Sequence, residues 1–424
     1  LKRQKRFQLV HQNKDRRTKM AKRIILYGIC LSLLVAGLLG MQGNAQAGQK
    51  KYKVYLNMSY SGNTWQGAAA NGIKALAATP PYDKLIDFKT VISGTDVQRQ
   101  ISDLQSMIAA GADAVILYPL SPTALNRVMK HGCKKGVLFF TYDSTVTEPC
   151  VVNVSNITAR YGANTAQWMV NQLGGKGEIV INHGVAGTTV TKTYDEQALY
   201  IFKKYPGIKI VSEFYGNWND ATSQEEVSKI LAAHPNIDGI WTVDGTYGSL
   251  QAVMKNRPDR LVVIAGQSNN EYRLLIADPK FQAKGLKGIS SSAAPAVGPY
   301  AFKLMMEVLL GKKKLTSNNV EYPLPWVEAK DVCVCSGDKF TDKCNVFPRD
   351  KVPPLFMDTA LDGKFIPELS LAGVQSGKPT PGATITPLPA PKYADGLPGI
   401  NCRDCARPKD WKEPNLVKPI PVPK

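Results

Sequence analysis

From residue 52 to about 330, short apolar or β-branched runs alternate regularly with longer amphipathic ones. Strands separated by helices of that length build βαβ units and parallel sheets rather than hairpins. The run Ala114-Val115-Ile116-Leu117-Tyr118 is apolar throughout, as a strand covered on both faces must be. Before it, Val97 to Ala110 carries Val97, Ile101, Leu104 and Ile108 on one helical face. Thr95 or Asp96 can cap that helix and Gly111 ends it. Further strands are expected at Val54–Met58, Phe88–Ser93, Gly136–Tyr142, Val151–Val154, Glu178–Asn182, Lys209–Glu213, Ile237–Val243 and Leu261–Ala265, with helices between them. A last helix is expected over Gly298–Leu310. Two sets of about five units fit two lobes better than one very wide sheet. The expected fold class is therefore α/β.

The formal charge of +19 raises the possibility of a nucleic-acid or membrane surface. Its placement weakens that reading, because residues 1–23 hold ten Lys or Arg and one Asp. That basic segment precedes an apolar run from Ile24 to Met41 and then Ala45-Gln46-Ala47. Basic segment, apolar segment and A-x-A site together read as a secretory signal peptide over residues 1–47, with Gly48 as the first mature residue. A start at Met20 would give this leader ordinary proportions; an uncleaved anchor is the rival reading. Export places the protein in the periplasm, where cysteines form disulfides. Cys30 lies in the leader, leaving Cys133, Cys150, Cys333, Cys335, Cys344, Cys402 and Cys405. A Cys133–Cys150 bridge would staple the loops at both ends of one strand. Cys333 and Cys335 could pair with Cys344 or with the tail, and Cys402-x-x-Cys405 lacks partners for a zinc site.

In open parallel sheets ligands bind beyond the carboxyl ends of the strands. The polar and aromatic residues there include Tyr60, Asn63 and Trp65 after the first strand, and Tyr142 and Asp143 after the fourth. The second half adds Lys192, Trp218, Asp244, Gln267 and, on the last return, Ser291 and Ser292. Hydrogen-bonding groups interleaved with flat aromatic faces suit a sugar or polyol. A carboxylate directly after an all-apolar strand has little structural use, which singles out Asp143. The sequence contains no G-x-S-x-G, H-E-x-x-H or Walker A run; His131 and His234 sit at predicted helix ends, and His183 has no nucleophile beside it in sequence. No catalysis, cofactor or metal is expected.

Two stretches carry a family likeness. One runs from Asp96-x-x-x-Gln100 to Ile108, through Gly111-Ala112-Asp113-Ala114-Val115-Ile116-Leu117 and Pro119, to Tyr142-Asp143; the other is Val227 to Pro235 with Ile237-Asp238-Gly239-Ile240. Over about residues 52–327 the chain resembles the ribose-type periplasmic sugar-binding proteins, the type I solute-binding proteins of bacterial ABC importers. The resemblance implies two Rossmann-like lobes joined by a three-strand hinge, with crossovers near Asn153, Ala293 and Pro323. It divides the chain into 48–153 plus 293–322 as the N-terminal lobe and 154–292 plus 323–332 as the C-terminal lobe. Residues 333–424 are left as a Cys- and Pro-containing extension, partly irregular. It implies a monomer that closes over a small polar solute and delivers it to membrane permease subunits, with no nucleic acid involved.

The family's ligand positions fall on Trp65 with Asn63 beside it, on Asp143, on Trp218, on Gln267 and near Ser291 or Ser292. Lys192 stands near the place of a family arginine, and Val243-Asp244 replaces an Asn-Asp pair; lysine does not reproduce a guanidinium fork. A periplasmic sensor for a chemoreceptor or kinase, and a secreted enzyme, are the alternative functions.

Overall fold

In the computed structural model, residues 50–424 are described apart from 157–160, 268, 292, 337–339, 341–342, 394–416 and 424. The expected leader and the Cys402-x-x-Cys405 pair lie outside the described residues. The first half runs β1 (Tyr52–Met58), α1 (Thr64–Ala77), α2 (Tyr82–Leu85), β2 (Ile86–Ile92), α3 (Val97–Ala109), β3 (Ala114–Leu117), α4 (Asn126–Lys134), β4 (Leu138–Tyr142) and β5 (Val152–Ser155). The second runs α5 (Tyr161–Gln172), β6 (Lys176–His183), α6 (Thr189–Phe202), β7 (Gly207–Tyr215), α7 (Asp220–Ala233), β8 (Gly239–Thr242), α8 (Thr246–Asn256), β9 (Val263–Gly266), α9 (Asn270–Ala277), α10 (Pro279–Gln282) and β10 (Lys287–Ser291). The chain then forms α11 (Val297–Leu309), β11 (Asn319–Glu321), β12 (Trp326–Glu328), α12 (Leu371–Ser376) and β13 (Lys392–Tyr393).

The strands form two sheets, ordered β13-β11-β5-β4-β3-β1-β2 and β12-β10-β9-β8-β6-β7. Pairing is parallel except where β13 and β12 add antiparallel edges. The chain leaves the first sheet after β5, returns after β10 and passes to the second sheet again between β11 and β12. In each sheet the order reverses beside its first strand, so helices cover both faces. Val54, Leu56, Ala114 and Ile116 join one buried cluster while Tyr55, Val115 and Leu117 join another on the opposite face. Ile179 and Ile181 likewise face away from Val180. This is the alternation of a pleated strand buried on both sides.

Local signals behave as the sequence implies. The Asp96 carboxylate caps α3 by accepting from the Gln98 amide at 2.7 Å, and Gly111 takes the left-handed backbone, φ 74°, that stops it. Gln100 on this helix is fully buried: its amide donates to Asn57 Oδ1 at 3.0 Å and to the Tyr118 carbonyl at 2.9 Å, and its oxygen accepts from the Leu120 amide. That clamp fixes the loop leaving β3. Disulfides join Cys133 to Cys150 and Cys335 to Cys344, and among the described residues Cys333 is left exposed and unbridged.

The region after residue 333 is largely irregular and carries the Cys335–Cys344 disulfide, yet it is more than an appendage. Phe347, Phe356, Ile366 and Leu369 are buried in the same cluster as α1 and α11. Asn270 of α9 exchanges two hydrogen bonds with the Phe347 backbone, at 3.0 and 2.7 Å. Lys303 of α11, with no exposed surface, meets Glu368 at 2.7 Å. The extension therefore packs on helices of both lobes. Among the described residues no helix is long and apolar enough to cross a membrane.

Candidate functional site

The carboxyl ends of both sheets face one narrow space with about 20 Å³ free. Its wall is formed by Asn63, Trp65, Gln66, Tyr118 and Asp143 from the first lobe, Val190, Tyr194, Trp218, Asp244 and Gln267 from the second, and Ala293 at a crossover. The lobes touch around it. Asn63 Nδ2 donates to the Trp218 carbonyl at 3.4 Å, and Thr189 Oγ1 donates to the Thr145 carbonyl at 3.1 Å. The cleft is therefore closed in this structure.

The aromatic side chains form a connected set. Trp65 stacks on Tyr142, with centroids 6.3 Å apart and planes within 11°, and its indole donates to the Ala293 carbonyl at 2.7 Å. Tyr118 meets both Trp65 and Trp218 edge-on, at 5.9 and 6.2 Å. Such contacts hold ring faces in place without closing over them. Gly184 makes room for the second indole: a Cβ there would come within 2.3 Å of Trp218 Nε1.

Backbone strain concentrates at the same place. Among the described residues, Asp143, Asn217 and Trp218 are the non-glycine residues with left-handed backbone, at φ 62°, 54° and 55°. An aspartate or tryptophan in that region costs on the order of 1 kcal/mol or more, and such residues cluster where function demands a particular aim. Here the conformation turns two side chains toward the cavity just after β4 and β7.

The polar wall is rich in acceptors that have no donor. Asp143 Oδ1, Gln66 Oε1 and Gln267 Oε1 are buried without a hydrogen-bond partner. Asp143 Oδ2 accepts from the Tyr118 hydroxyl at 3.3 Å. Burial pushes the Asp143 carboxyl up to about 7, against the lowering effect of that hydroxyl. Asp244 accepts from the Gly245 amide at 2.6 Å and is also raised, by burial first and then by the charge of Asp220. Among the described residues the lining contains no lysine or arginine. Unsatisfied buried acceptors beside aromatic faces are complementary to a neutral molecule bearing several hydroxyl donors.

Of the residues chosen from the sequence, Asn63, Trp65, Asp143, Trp218, Asp244 and Gln267 come together in this wall. Tyr60, Tyr142 and Lys192 do not. The Tyr60 ring folds back over Gly62, where a Cβ would lie 2.5 Å from its hydroxyl oxygen. Tyr142 is fully buried behind Trp65, because strand alternation turns it into the core while Asp143 leaves the strand. Lys192 points to solvent on α6 and faces Glu196 one turn away at 4.0 Å. Ser292 is outside the described residues; Ser291 is buried and donates to the Pro325 carbonyl at 2.7 Å. Sequence reading missed Gln66, Tyr118, Val190 and Tyr194. The last two lie four apart on α6, a spacing that places them on one helical face. His183 sits between Asp195, at 2.9 Å, and Glu213, at 3.1 Å, with no nucleophile. Among the described residues no group of three or more His, Cys, Asp or Glu is placed to hold a metal ion.

A buried carboxyl that stays protonated weakens folding as pH rises, since the unfolded chain ionises first. For Asp143 the loss begins near its ordinary value of 3.8 and runs to about 7; Asp244 and Asp358 act in the same direction. His183 is raised: burial lowers it, but Asp195 and then Glu213 outweigh this, so its contribution is also lost as pH climbs through the raised value. The urea midpoint of the ligand-free protein should therefore fall between pH 5 and pH 8, by on the order of a few kcal/mol in stability. A midpoint that rose across this interval would contradict the burial of these groups.

Two similar lobes closed over a cleft lined by hydrogen-bond acceptors and aromatic faces define a solute-binding protein. The chain belongs to the periplasmic binding protein family: residues 54–313 match the family described as "Periplasmic binding protein domain". The last two crossover strands, β11 and β12, and the extension from residue 333 lie beyond that match. A xylitol-binding protein of Mycolicibacterium smegmatis is 30% identical over 165 residues, covering 38% of this chain and only 47% of that protein. The chain thus spans about half the length of that relative. The ribose import binding protein RbsB of Bacillus subtilis is 21% identical over 268 residues, covering 62% of this chain and 84% of its own. Among solved structures, an ABC transporter solute-binding protein from Thermobispora bispora superposes with a TM-score of 0.60 at 25% identity, covering 66% of this chain and 86% of that one. The fold of the arabinose-binding component from Shewanella sp. ANA-3 is also shared, at a TM-score of 0.58, 20% identity and coverages of 66% and 92%. Family membership accords with a periplasmic location.

Proposed function

We propose that this protein captures a neutral sugar or polyol in the periplasm and presents it, with its lobes closed, to the membrane permease subunits of an ABC importer. The observation that carries this reading is the set of unpartnered acceptors, Asp143 Oδ1, Gln66 Oε1 and Gln267 Oε1, beside Trp65 and Trp218. Carboxylates and amides would accept from hydroxyls of the solute, while the indole faces would cover its C–H surfaces. With only about 20 Å³ free in the closed cleft, the smallest sugars and polyols, pentoses and pentitols, demand the least opening of the lobes. The names of the relatives, among them xylitol, ribose and D-apiose binders, point the same way.

The two lobes would open about the three connections that follow β5, β10 and β11 and close on the solute, so that affinity reports the closed state. A thermal-shift screen of protein beginning at Gly48 tests the assignment. Pentitols and pentoses should raise the melting temperature by several degrees, since a ligand at about 100 times its Kd adds about 2.7 kcal/mol. Shifts produced by amino acids or nucleosides but by no sugar or polyol would refute it.

A further inference from the structure

A second cavity, of about 440 Å³, lies between the third crossover and the C-terminal extension. Tyr322, Pro323, Leu324, Pro325 and Val327 form one wall and Leu361 with its neighbours the other. At its polar end are Arg273 of α9 and Asp358 of the extension, only 2% and 1% exposed. Arg273 donates from Nε to Ser290 Oγ at 2.9 Å and from Nη1 to the Asn345 carbonyl at 2.7 Å, but its Nη2 has no partner. Both Asp358 oxygens also lack a hydrogen bond, and the nearest approach of the pair, 3.8 Å, is too long to supply one. Groups this deeply buried are rarely left unmatched on a cavity wall unless something completes them. We propose that this cavity is a second small-molecule site, taking a small monocarboxylate with an apolar body.

Charge selects that class. The Arg273 guanidinium is positive and Lys364 adds a second cation to the lining. Asp362 is already engaged, accepting from the Tyr322 hydroxyl at 2.6 Å and from the Lys364 and Phe365 amides. Burial raises the Asp358 carboxyl to about 8, so near neutral pH it is chiefly protonated and offers a proton. A carboxylate could then accept from Arg273 Nη2 and from the Asp358 carboxyl together, with its apolar body against Leu324, Val327 and Leu361. A sugar fits poorly here, because those side chains offer its hydroxyls nothing. The site combines residues inside the family match, such as Arg273, with residues beyond it, including Asp358 and Leu361 from the extension. It stands independently of the cleft reading.

The experiment uses phenylacetate and hexanoate as probes, with 2-phenylethanol and hexanol as uncharged counterparts, titrated into protein beginning at Gly48. The acids should bind at submillimolar concentration and at least about tenfold more tightly than the alcohols. Leu361→Trp, which fills the apolar end, should weaken the acids at least about tenfold, whereas Asp143→Ala should leave them unchanged. Should the tryptophan variant fail to fold, hydrogen exchange of the wild type decides: phenylacetate should protect amides in 322–327 and 358–362. No binding of either acid at millimolar concentration, equal binding of the alcohols, protection confined to other segments, or full affinity in a folded Leu361→Trp variant would each overturn the proposal.

Discussion

Replacing Asp143 by alanine is expected to weaken binding of the sugar or polyol found in the screen by about a hundredfold or more while the protein remains folded. The carboxyl is buried at the cavity wall, one oxygen is held by Tyr118 and the other awaits a donor. Hydrogen bonds to a carboxylate are each worth about 1.5–3 kcal/mol, and a hundredfold corresponds to about 2.7 kcal/mol. A modest loss of stability should accompany it, because Asp143 holds φ 62° and alanine in that region costs about 1–2 kcal/mol. Asp143→Asn separates the two effects. Asparagine tolerates the left-handed backbone and keeps an acceptor, so it should restore stability and lose less affinity than alanine. Calorimetry against the same solute, with melting curves for each variant, provides the check. Unchanged affinity in the alanine variant would remove Asp143 from the site.

The second large effect concerns the extension. Lys303→Met should destabilise the protein by about 3–5 kcal/mol, since it leaves the Glu368 carboxylate buried without its cation. Lys303 Nζ also donates to the Phe365 carbonyl at 3.0 Å and to Thr386 Oγ1 at 3.2 Å, so one ammonium ties three parts of the extension to α11. The Glu368 carboxyl is held below its ordinary value: burial raises it, but Lys303 and then Thr386 more than compensate. The double variant Lys303→Met with Glu368→Leu should recover most of the loss, because replacing a whole buried pair by apolar groups is often close to neutral. Urea denaturation of both variants measures this. A loss below about 1 kcal/mol in the single variant would mean that the extension is a detachable tail.

The parallel α/β architecture was legible because periodicity reports burial. The all-apolar run at 114–117 could only be a strand covered on both faces, and α3 showed its cap, its apolar stripe and its stop in order. Much of the cleft was legible for a related reason. In such sheets the residue after a strand is at the ligand edge, which was enough to select Asp143, Asp244 and Gln267. Position along the chain says less about aim. Tyr142 and Asp143 are neighbours, yet one turns into the core and the other toward the cavity, a choice made by the left-handed backbone at 143. Lys192 and Tyr194 share a helix two residues apart, and only the docking of α6 decides that the tyrosine faces the cavity.

By itself the sequence determined the succession of strands and helices, their division between two sheets and the polar chemistry at the strand ends, because all three follow from short-range periodicity. Only the tertiary structure decided which of those side chains share one cavity and which acceptors in its wall lack a donor. It also decided that a proline-rich, irregular C-terminal region is built into the core and shapes a second cavity beside the hinge. Those properties depend on contacts between residues far apart in the chain, such as Arg273 with Asp358 and Lys303 with Glu368, and no local pattern of residue types encodes them.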